Sequence, residues 1–563
     1  MTSTKPQEPE STSQAIPRKR LITIFIGLIL GILMAALDQT IVATALPTIA
    51  GQLDGLELIS WIITAYLLGQ AVAMPLYGKV GDYIGRRNSF HLAILIFLGG
   101  SIVAGLSQSM EMLIVFRAVQ GIGAGGLMIG AQTIMAAIVN PRERAKYMSV
   151  MGPMIGVATV LGPLLGGYLT QHVNWRWIFY INVPIGAAAL IVTAITLKLP
   201  REATSKKVDY WGSLFMAAAI TCLMLMLTWG GRRYDWTSPT ILWLIAGAVV
   251  FTPVWLWIEH KTSEPILPLH LFRDPVFKIN APLAFILGVA MFGAVSYLPT
   301  YLQLSRGASA TTSGLLMLPL MGGLMAAAVT TGQLISRTGR YKVFPIVGTA
   351  LAAVGMYLLS LMDASTGEWV SGFYMAILGF GIGLIMPTLV LTVQNSVAHH
   401  DVGPATAGVN FFRQVGASFG TALIGSLFVG RLTDELAKNM PAGAASKIGQ
   451  HATGITPDEL AKLPVSLAHD VVISYADALI PLYRYLVPLL VVGFILVWFI
   501  KEIPLTLTRG GPPRPGDDAP SSAHESAHAA DRVHHGAHAA DVPPDLKPHG
   551  NHSAGATNTD PAG

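Results

Sequence analysis

Two charged side chains stand inside long apolar runs. They are Asp38, in LDQTIVATALP (37–47), and Arg117, which opens RAVQGIGAGGLMIG (117–130). An acid at membrane depth costs at least ~3 kcal/mol on insertion scales, so one that is kept there is a candidate to bind an ion or a proton. Asp38 is the only acid inside any of the apolar runs as we draw them. It lies about eight residues, roughly 12 Å, from the outer end of its run, and Arg117 about five residues, roughly 8 Å, from the outer end of its own. The chemistry these positions offer is proton uptake and release by Asp38. Arg117 is then a counter-charge whose hold loosens on protonation, biasing a two-state protein. An acid satisfied by backbone and an arginine that only packs, or a fixed ion pair, are the competing explanations.

The same stretch holds Gly121, Gly123 and Gly126, the spacing of a dinucleotide fingerprint. That fingerprint needs a strand before it, a helix after it and an acid about twenty residues on. Here the glycines sit within an apolar run, and the next acid is Glu143 in a basic loop. Close approach of helices is the better use for them. No HExxH, Walker A or GxSxG pattern occurs, so zinc hydrolysis, ATP-driven pumping and serine hydrolysis lack their residues. Cys222 is the single cysteine, which excludes a disulfide framework within one chain. His399, His400 and the histidines beyond 520 show no metal-site spacing. We therefore expect no metal and no cofactor, with the proton as coupling ion, and no enzymatic activity.

The elements that must position these residues are membrane helices. Of 563 residues, 52% are hydrophobic and 12% charged, about half the charged share of a soluble domain. Runs of ~20 apolar residues, enough to cross ~30 Å of hydrocarbon, recur along the chain. The sequence predicts an all-α polytopic membrane protein with fourteen spans arranged 6 + 2 + 6. The expected parts are an N-terminal tail (1–20), a six-helix bundle (21–200), two extra helices (201–260) and a second six-helix bundle (261–503). Within the second bundle, a long outward loop (431–480) carries a helix start at Thr456. A disordered His-rich tail (504–563) closes the chain. Lys79, Arg86, Arg87, Arg142, Arg144, Lys146, Arg337, Arg340 and Lys342 fall in alternate short loops. The positive-inside rule then puts those loops and both termini in the cytoplasm. The net charge of +5 is spread over these loops, so it is not a nucleic-acid signal.

The halves echo each other. GKVGDYIGRR (78–87) matches GQLISRTGRY (332–341), so that Gly78, Gly85 and Arg86 correspond to Gly332, Gly339 and Arg340. GIGAG (121–125) matches GFGIG (379–383). Repeated halves around a midplane site are the common design of secondary transporters. In the first loop Asp82, Arg86 and Arg87 offer contacts made in one conformation only, or they simply obey the topology rule. GPLLGG, with Gly162, Pro163, Gly166 and Gly167, combines a helix-bending proline with small packing residues. Gln70, Gln132, Gln303, Gln394 and Asn395 are polar residues within spans, able to line a substrate cavity or to bond helices together. Arg413 and Arg484 read as snorkelling residues near span ends.

These motifs resemble a known family. GKVGDYIGRR is similar to the loop signature between spans 2 and 3 of the major facilitator superfamily, RAVQGIGAG to its span 4 motif, and GPLLGG to the motif of proton-coupled antiporters. LDQTIVATALP, NWRWIFYINVPIG (174–186) and FRQVGASFG (412–420) resemble the fourteen-span drug:proton antiporters of the QacA and EmrB kind, over about 20–505. The resemblance implies multidrug efflux across the cytoplasmic membrane in exchange for protons. It implies that Asp38 and Arg117 couple protons, that Asp82 and Arg86 gate, and that Gly162, Pro163, Gly166 and Gly167 form the antiporter motif. The glycine usual four residues before the Gly-Pro pair is here Ala158. The second acid that some relatives carry in span 10 is absent from 313–335. Monocationic or neutral amphipathic drugs are the expected partners, with membrane lipids, and a monomer is the expected unit. The alternatives are a dedicated exporter of one metabolite, lipid or siderophore, and a non-transporting sensor or scaffold.

Overall fold

The structure is a computed structural model that describes residues 17–198, 209–231, 233–306, 310–440, 460, 464–503 and 505. The expected helix start at Thr456, residues 1–16 and all of the expected tail except Leu505 lie outside the described residues. In chain order the helices are α1 Arg18–Gln52, α2 Ile59–Ile84, α3 Arg86–Gly105, α4 Met110–Ile138, α5 Pro141–Met151, α6 Pro153–His172, α7 Trp177–Tyr180, α8 Asn182–Thr196, α9 Tyr210–Trp229, α10 Pro239–Lys261, α11 Pro275–Val295, α12 Leu298–Arg306, α13 Ala310–Leu316, α14 Leu318–Thr338, α15 Val343–Leu359, α16 Glu368–Ser396, α17 Val402–Asn439, α18 Val465–Leu479 and α19 Leu486–Trp498. Among the described residues, thirteen helical segments are long and apolar enough to cross a membrane, and α15 is apolar but shorter at 17 residues. Beyond one isolated bridge, Gly230 to Tyr234, no strand pairing occurs among them.

Local chemistry sets several helix starts. The Ser109 hydroxyl accepts the Met112 N–H at the start of α4. Asp274 accepts the N–H groups of Val276 and Phe277 at the start of α11, with Pro275 in the first turn, where its missing N–H costs nothing. Exposure is inverted relative to a water-soluble protein. Trp243 is 78% exposed and Val249 65% exposed on α10, while Asp38 is wholly buried. Apolar side chains facing outward suit a hydrocarbon solvent.

The paired glycine motifs do the same work in each half. On α4, a Cβ at Gly121 would run into the Tyr66 carbonyl of α2, and at Gly125 it would lie 2.8 Å from the Gln70 carbonyl of the same helix. At Gly123 it would lie 2.6 Å from the Phe97 nitrogen of α3. On α16, Gly379 and Gly383 face the Leu320 and Leu324 carbonyls of α14, and Gly381 faces Ala352 of α15. Each central helix thus meets two neighbours backbone to backbone, on opposite faces, because the glycines alternate. Gly85 and Gly339, the matched glycines of the charged motifs, both have positive φ, at 87° and 73°. Glycine adopts that conformation without steric cost, and it turns α2 into α3 and α14 towards α15.

Helix ends depart from the sequence reading. The charged motifs are not loops: α2 continues to Ile84, so Gly78 and Asp82 are helical and Gly85 alone separates α2 from α3. Charged residues marked the end of the apolar run, not of the helix. For the same reason α17 begins at Val402 rather than 409, and it runs on to Asn439 inside the segment read as a loop. The described part of 431–480 also includes α18.

Candidate functional site

Asp38 and Arg117 meet, as their matched depths suggested. Arg117 Nη1 donates to Asp38 Oδ2 in an ion pair where both side chains are at most 1% exposed. Sequence reasoning missed the rest of the cluster. The Asp38 Oδ1 atom accepts N–H groups from Gln120 at 2.7 Å and Asn182 at 2.8 Å. Both amides also donate to Ser101 Oγ, at 3.1 and 3.0 Å. Arg117 is held further by Gln120 Oε1 at 2.9 Å, the Ile62 carbonyl and the face of Tyr66, 4.3 Å from its centroid. Gln120 was findable: it lies three residues after Arg117, on the same helix face. The two oxygens of the buried Asp38 carboxylate thus meet a cation and two amide donors.

The acid faces away from the middle of the protein. On α1 the residues at the neighbouring cavity are Ile32, Ala35, Ala36 and Gln39, whose spacing defines one helix face. Asp38 points from the adjacent face, about 110° round the helix, into the bundle of α1, α3, α4 and α8. The cavity lies between α1, α2 and α4 on one side and α11, α16 and α17 on the other, as two small adjoining spaces of about 40 and 50 Å³ that share Ile32, Met128 and Arg413.

A helical bundle with a buried acid–arginine pair beside a central cavity can be compared with known proteins. The model of the Major Facilitator Superfamily matches residues 28–421. The chain belongs to the major facilitator superfamily. It is 44% identical to an uncharacterized MFS-type transporter of Mycobacterium tuberculosis (strain ATCC 25618 / H37Rv), over 86% of this chain and 70% of that one. It is 34% identical to the multidrug transporter protein MdtP of Bacillus subtilis (strain 168), over 87% and 94% of the two chains. Its fold resembles the human organic anion transporter MFSD10 (TM-score 0.55, 14% identity, 85% and 99% of the chains) and the proton:xylose symporter XylE (TM-score 0.57, 15% identity, 86% and 96%). This chain is therefore a multi-pass membrane transporter of that superfamily, whose members and structural neighbours here are transporters and not enzymes.

Superfamily motifs land at helix contacts. At GPLLGG on α6, a Cβ on Gly162 would lie 2.6 Å from the Thr40 Cβ, and one on Gly166 would lie 2.6 Å from the Ile41 carbonyl. Both face α1, at residues within about one turn of the buried acid. The Thr40 hydroxyl donates to the Ala158 carbonyl at 2.8 Å, so the alanine that replaces the usual glycine still packs against α1. Gly167 is a correction: nothing lies within 4 Å of its Cβ position, because it points away from α1. Pro163 is half-buried within the helix. Gly166→Val is expected to abolish transport, whereas Gly167→Ala retains it. Equal transport by the two variants would refute the α1 contact as the motif's purpose.

The charged motifs bring the two sides of the cavity together at one end. Gly78 of α2 packs on α17, its Cβ position 2.7 Å from Ala407 and 3.0 Å from the Gly403 carbonyl. Gly332 of α14 packs on α5, its Cβ position 2.7 Å from the Ala145 carbonyl. Arg142 donates to the Ser336 and Arg337 carbonyls at the end of α14. Arg144 reaches Gln394 at 3.2 Å. Arg86 and Arg87 act within their own side, donating to the carbonyls of Thr133 and Ala194. Arg340 is exposed. Beside it the Tyr341 phenol, its pKa pushed up to about 12 by burial, accepts the Ile503 N–H at 2.8 Å.

Of the five polar residues expected at the cavity, Gln70 and Gln132 line it. Gln303 bonds Ser313, Gln394 bonds Arg144 and Thr406, and Asn395 donates to the Ile503 carbonyl, so these three serve helix packing. Two further positions need correction. Arg413 is 7% exposed and lines both spaces, because α17 starts earlier than drawn and the residue lies in its fourth turn. Glu259, read as beyond its span, is buried on α10, accepting from Trp255 and Leu267. Arg484 is exposed beside Tyr357, in keeping with snorkelling.

Proposed function

We propose that the protein is a proton-coupled antiporter that exports amphipathic small molecules across the cytoplasmic membrane by alternating access. In this reading two six-helix halves rock about the central cavity, α9 and α10 add a peripheral pair, and the basic loops and termini face the cytoplasm. The carrying observation is the sealed Asp38–Arg117 cluster, which α1 turns away from the cavity into the bundle beside it. Proton and substrate then act on the same helix without touching each other.

The contacts at Gly78, Arg142 and Gly332 close the end that carries the basic loops. In this reading the state is closed towards the cytoplasm. A proton arriving from outside neutralises Asp38, weakens its hold on Arg117 and frees α1 and α4 to shift. Return of the proton to the cytoplasm restores the pair. The gradient supplies ~2.3 kcal/mol per charge per 100 mV and about 1.4 kcal/mol per pH unit. Among the described residues the cavity lining has no acid, which disfavours dications. The multidrug names of relatives such as MdtP support export of drug-like compounds.

The test is efflux of amphipathic dyes in everted vesicles, with and without a protonophore. Wild type is expected to accumulate dye only while the gradient lasts, and Asp38→Asn to lose gradient-driven accumulation. Undiminished accumulation by Asp38→Asn would remove Asp38 from coupling.

A further inference from the structure

The central cavity contains a cation that no carboxylate neutralises. Among the described residues, Arg413 is the one charged side chain lining either space. A guanidinium has five N–H donors. The side-chain contacts of Arg413 are two long ones, Met128 Sδ at 3.8 Å and Asn410 Oδ1 at 3.5 Å. It belongs to no ion pair among the described residues. The other two deeply buried arginines differ sharply. Arg117 has Asp38, Gln120 and an aromatic face. Arg144 has Gln394 and two backbone carbonyls. A desolvated cation is costly unless it is paired.

The surroundings of Arg413 suit an acidic head on an apolar body. Gln39, Gln70, Gln132 and Gln414 supply neutral amides, and Met128, Met148, Met151 and Met386 supply walls. Methionine side chains adapt to varied apolar shapes. A planar guanidinium fork matches a carboxylate or sulfonate with two parallel hydrogen bonds. Arg413 also shares its helix face with Val409, Asn410 and Gln414, so the head group is fixed from α17 while the body lies against α1 and α4.

We propose that Arg413 is the substrate-charge selector of the central cavity, and that the preferred cargo is an amphipathic monoanion carrying a carboxylate or sulfonate. This rests on the export reading above and replaces the monocationic cargo expected from the sequence. Cations are repelled by Arg413, and neutral compounds leave its donors to water.

The test uses the full-length protein in phosphatidylcholine nanodiscs, with empty nanodiscs as the partition control. Probes are matched triplets that differ only in charge: 2-naphthoate, 2-naphthamide and 2-naphthylmethylammonium, and the carboxylate, amide and ammonium forms of a pyrenebutyl chain. Binding is read by fluorescence. Wild type is expected to bind the carboxylates at least about tenfold more tightly than the ammonium forms, the size of one charge-assisted hydrogen bond. Arg413→Gln is expected to bring the ratio to about one, and Arg413→Lys to keep part of it. A merely structural arginine would weaken all three charge forms together and leave the ratio intact, which overturns the proposal. Wild-type preference for the neutral or cationic members overturns the anion class and leaves the export reading standing. Binding of no member overturns both. If Arg413→Gln does not fold, the wild-type ranking alone decides.

Discussion

Asp38→Asn and Arg117→Gln are each expected to destabilise the protein by about 3–5 kcal/mol, and the double variant to recover most of that loss. The reason is the closed environment: each single variant leaves one buried charge without its partner. Asparagine cannot substitute silently. The Asp38 carboxylate accepts from Arg117, Gln120 and Asn182 and donates to nothing. An amide there must turn its NH₂ towards one of those donors. Arg117→Gln removes the cation and also its stacking on Tyr66. The double variant contains only neutral groups, so it should fold and bind substrate while remaining uncoupled from protons. Thermal unfolding of the four proteins, set beside protonophore-sensitive efflux, separates the two roles of the pair. Single variants that melt with wild type would show that the pair contributes no net charge stabilisation. A double variant that still couples would place the proton site elsewhere.

The pair was legible because charges are rare inside apolar runs: one acid and one arginine at similar depth leave few other partners. The helix-packing glycines were legible for a related reason, since the motif recurs at 121–125 and 379–383 and each copy must fit its neighbours backbone to backbone. The cavity was not legible. Glutamine and asparagine inside a span satisfy themselves equally well on a cavity face or between helices, and only the packing separates Gln132 from Gln394. Arg413 was obscured by a boundary error. Drawing its helix from 409 placed it one turn from the membrane edge, where snorkelling is the ordinary explanation, whereas α17 starts at Val402. Glu259 was lost the same way at the other end of α10, and its hydrogen bonds with Trp255 and Leu267 are tertiary facts that no spacing encodes.

Gly403→Val and Gly332→Val are expected to hold the basic-loop end open. A Cβ at Gly403 would run into the Gly78 carbonyl, and a Cβ at Gly332 would lie 2.7 Å from the Ala145 carbonyl. Backbone cannot move aside as a flexible side chain would, so closure is blocked sterically at either of two contacts in equivalent places of the repeat. Neither valine need destabilise the open state, where these faces separate. An equilibrium shifted by about 5.5 kcal/mol changes from 99:1 to 1:99, and a backbone overlap of this kind is on that order or larger. Thr406, fully buried beside Gln394 on the closed side, is a suitable reporter. A cysteine placed there in a Cys222→Ser background should react with a membrane-impermeant maleimide in everted vesicles several-fold faster when either valine is present, while efflux falls. Because Gly78 and Gly332 occupy matched positions, the two valines should give the same labelling pattern from opposite sides of the cavity. Faster labelling with one valine and not the other would mean that a single contact, not a symmetric pair, governs closure. Unchanged labelling with intact efflux in both would mean that these contacts do not govern access to the cavity at all.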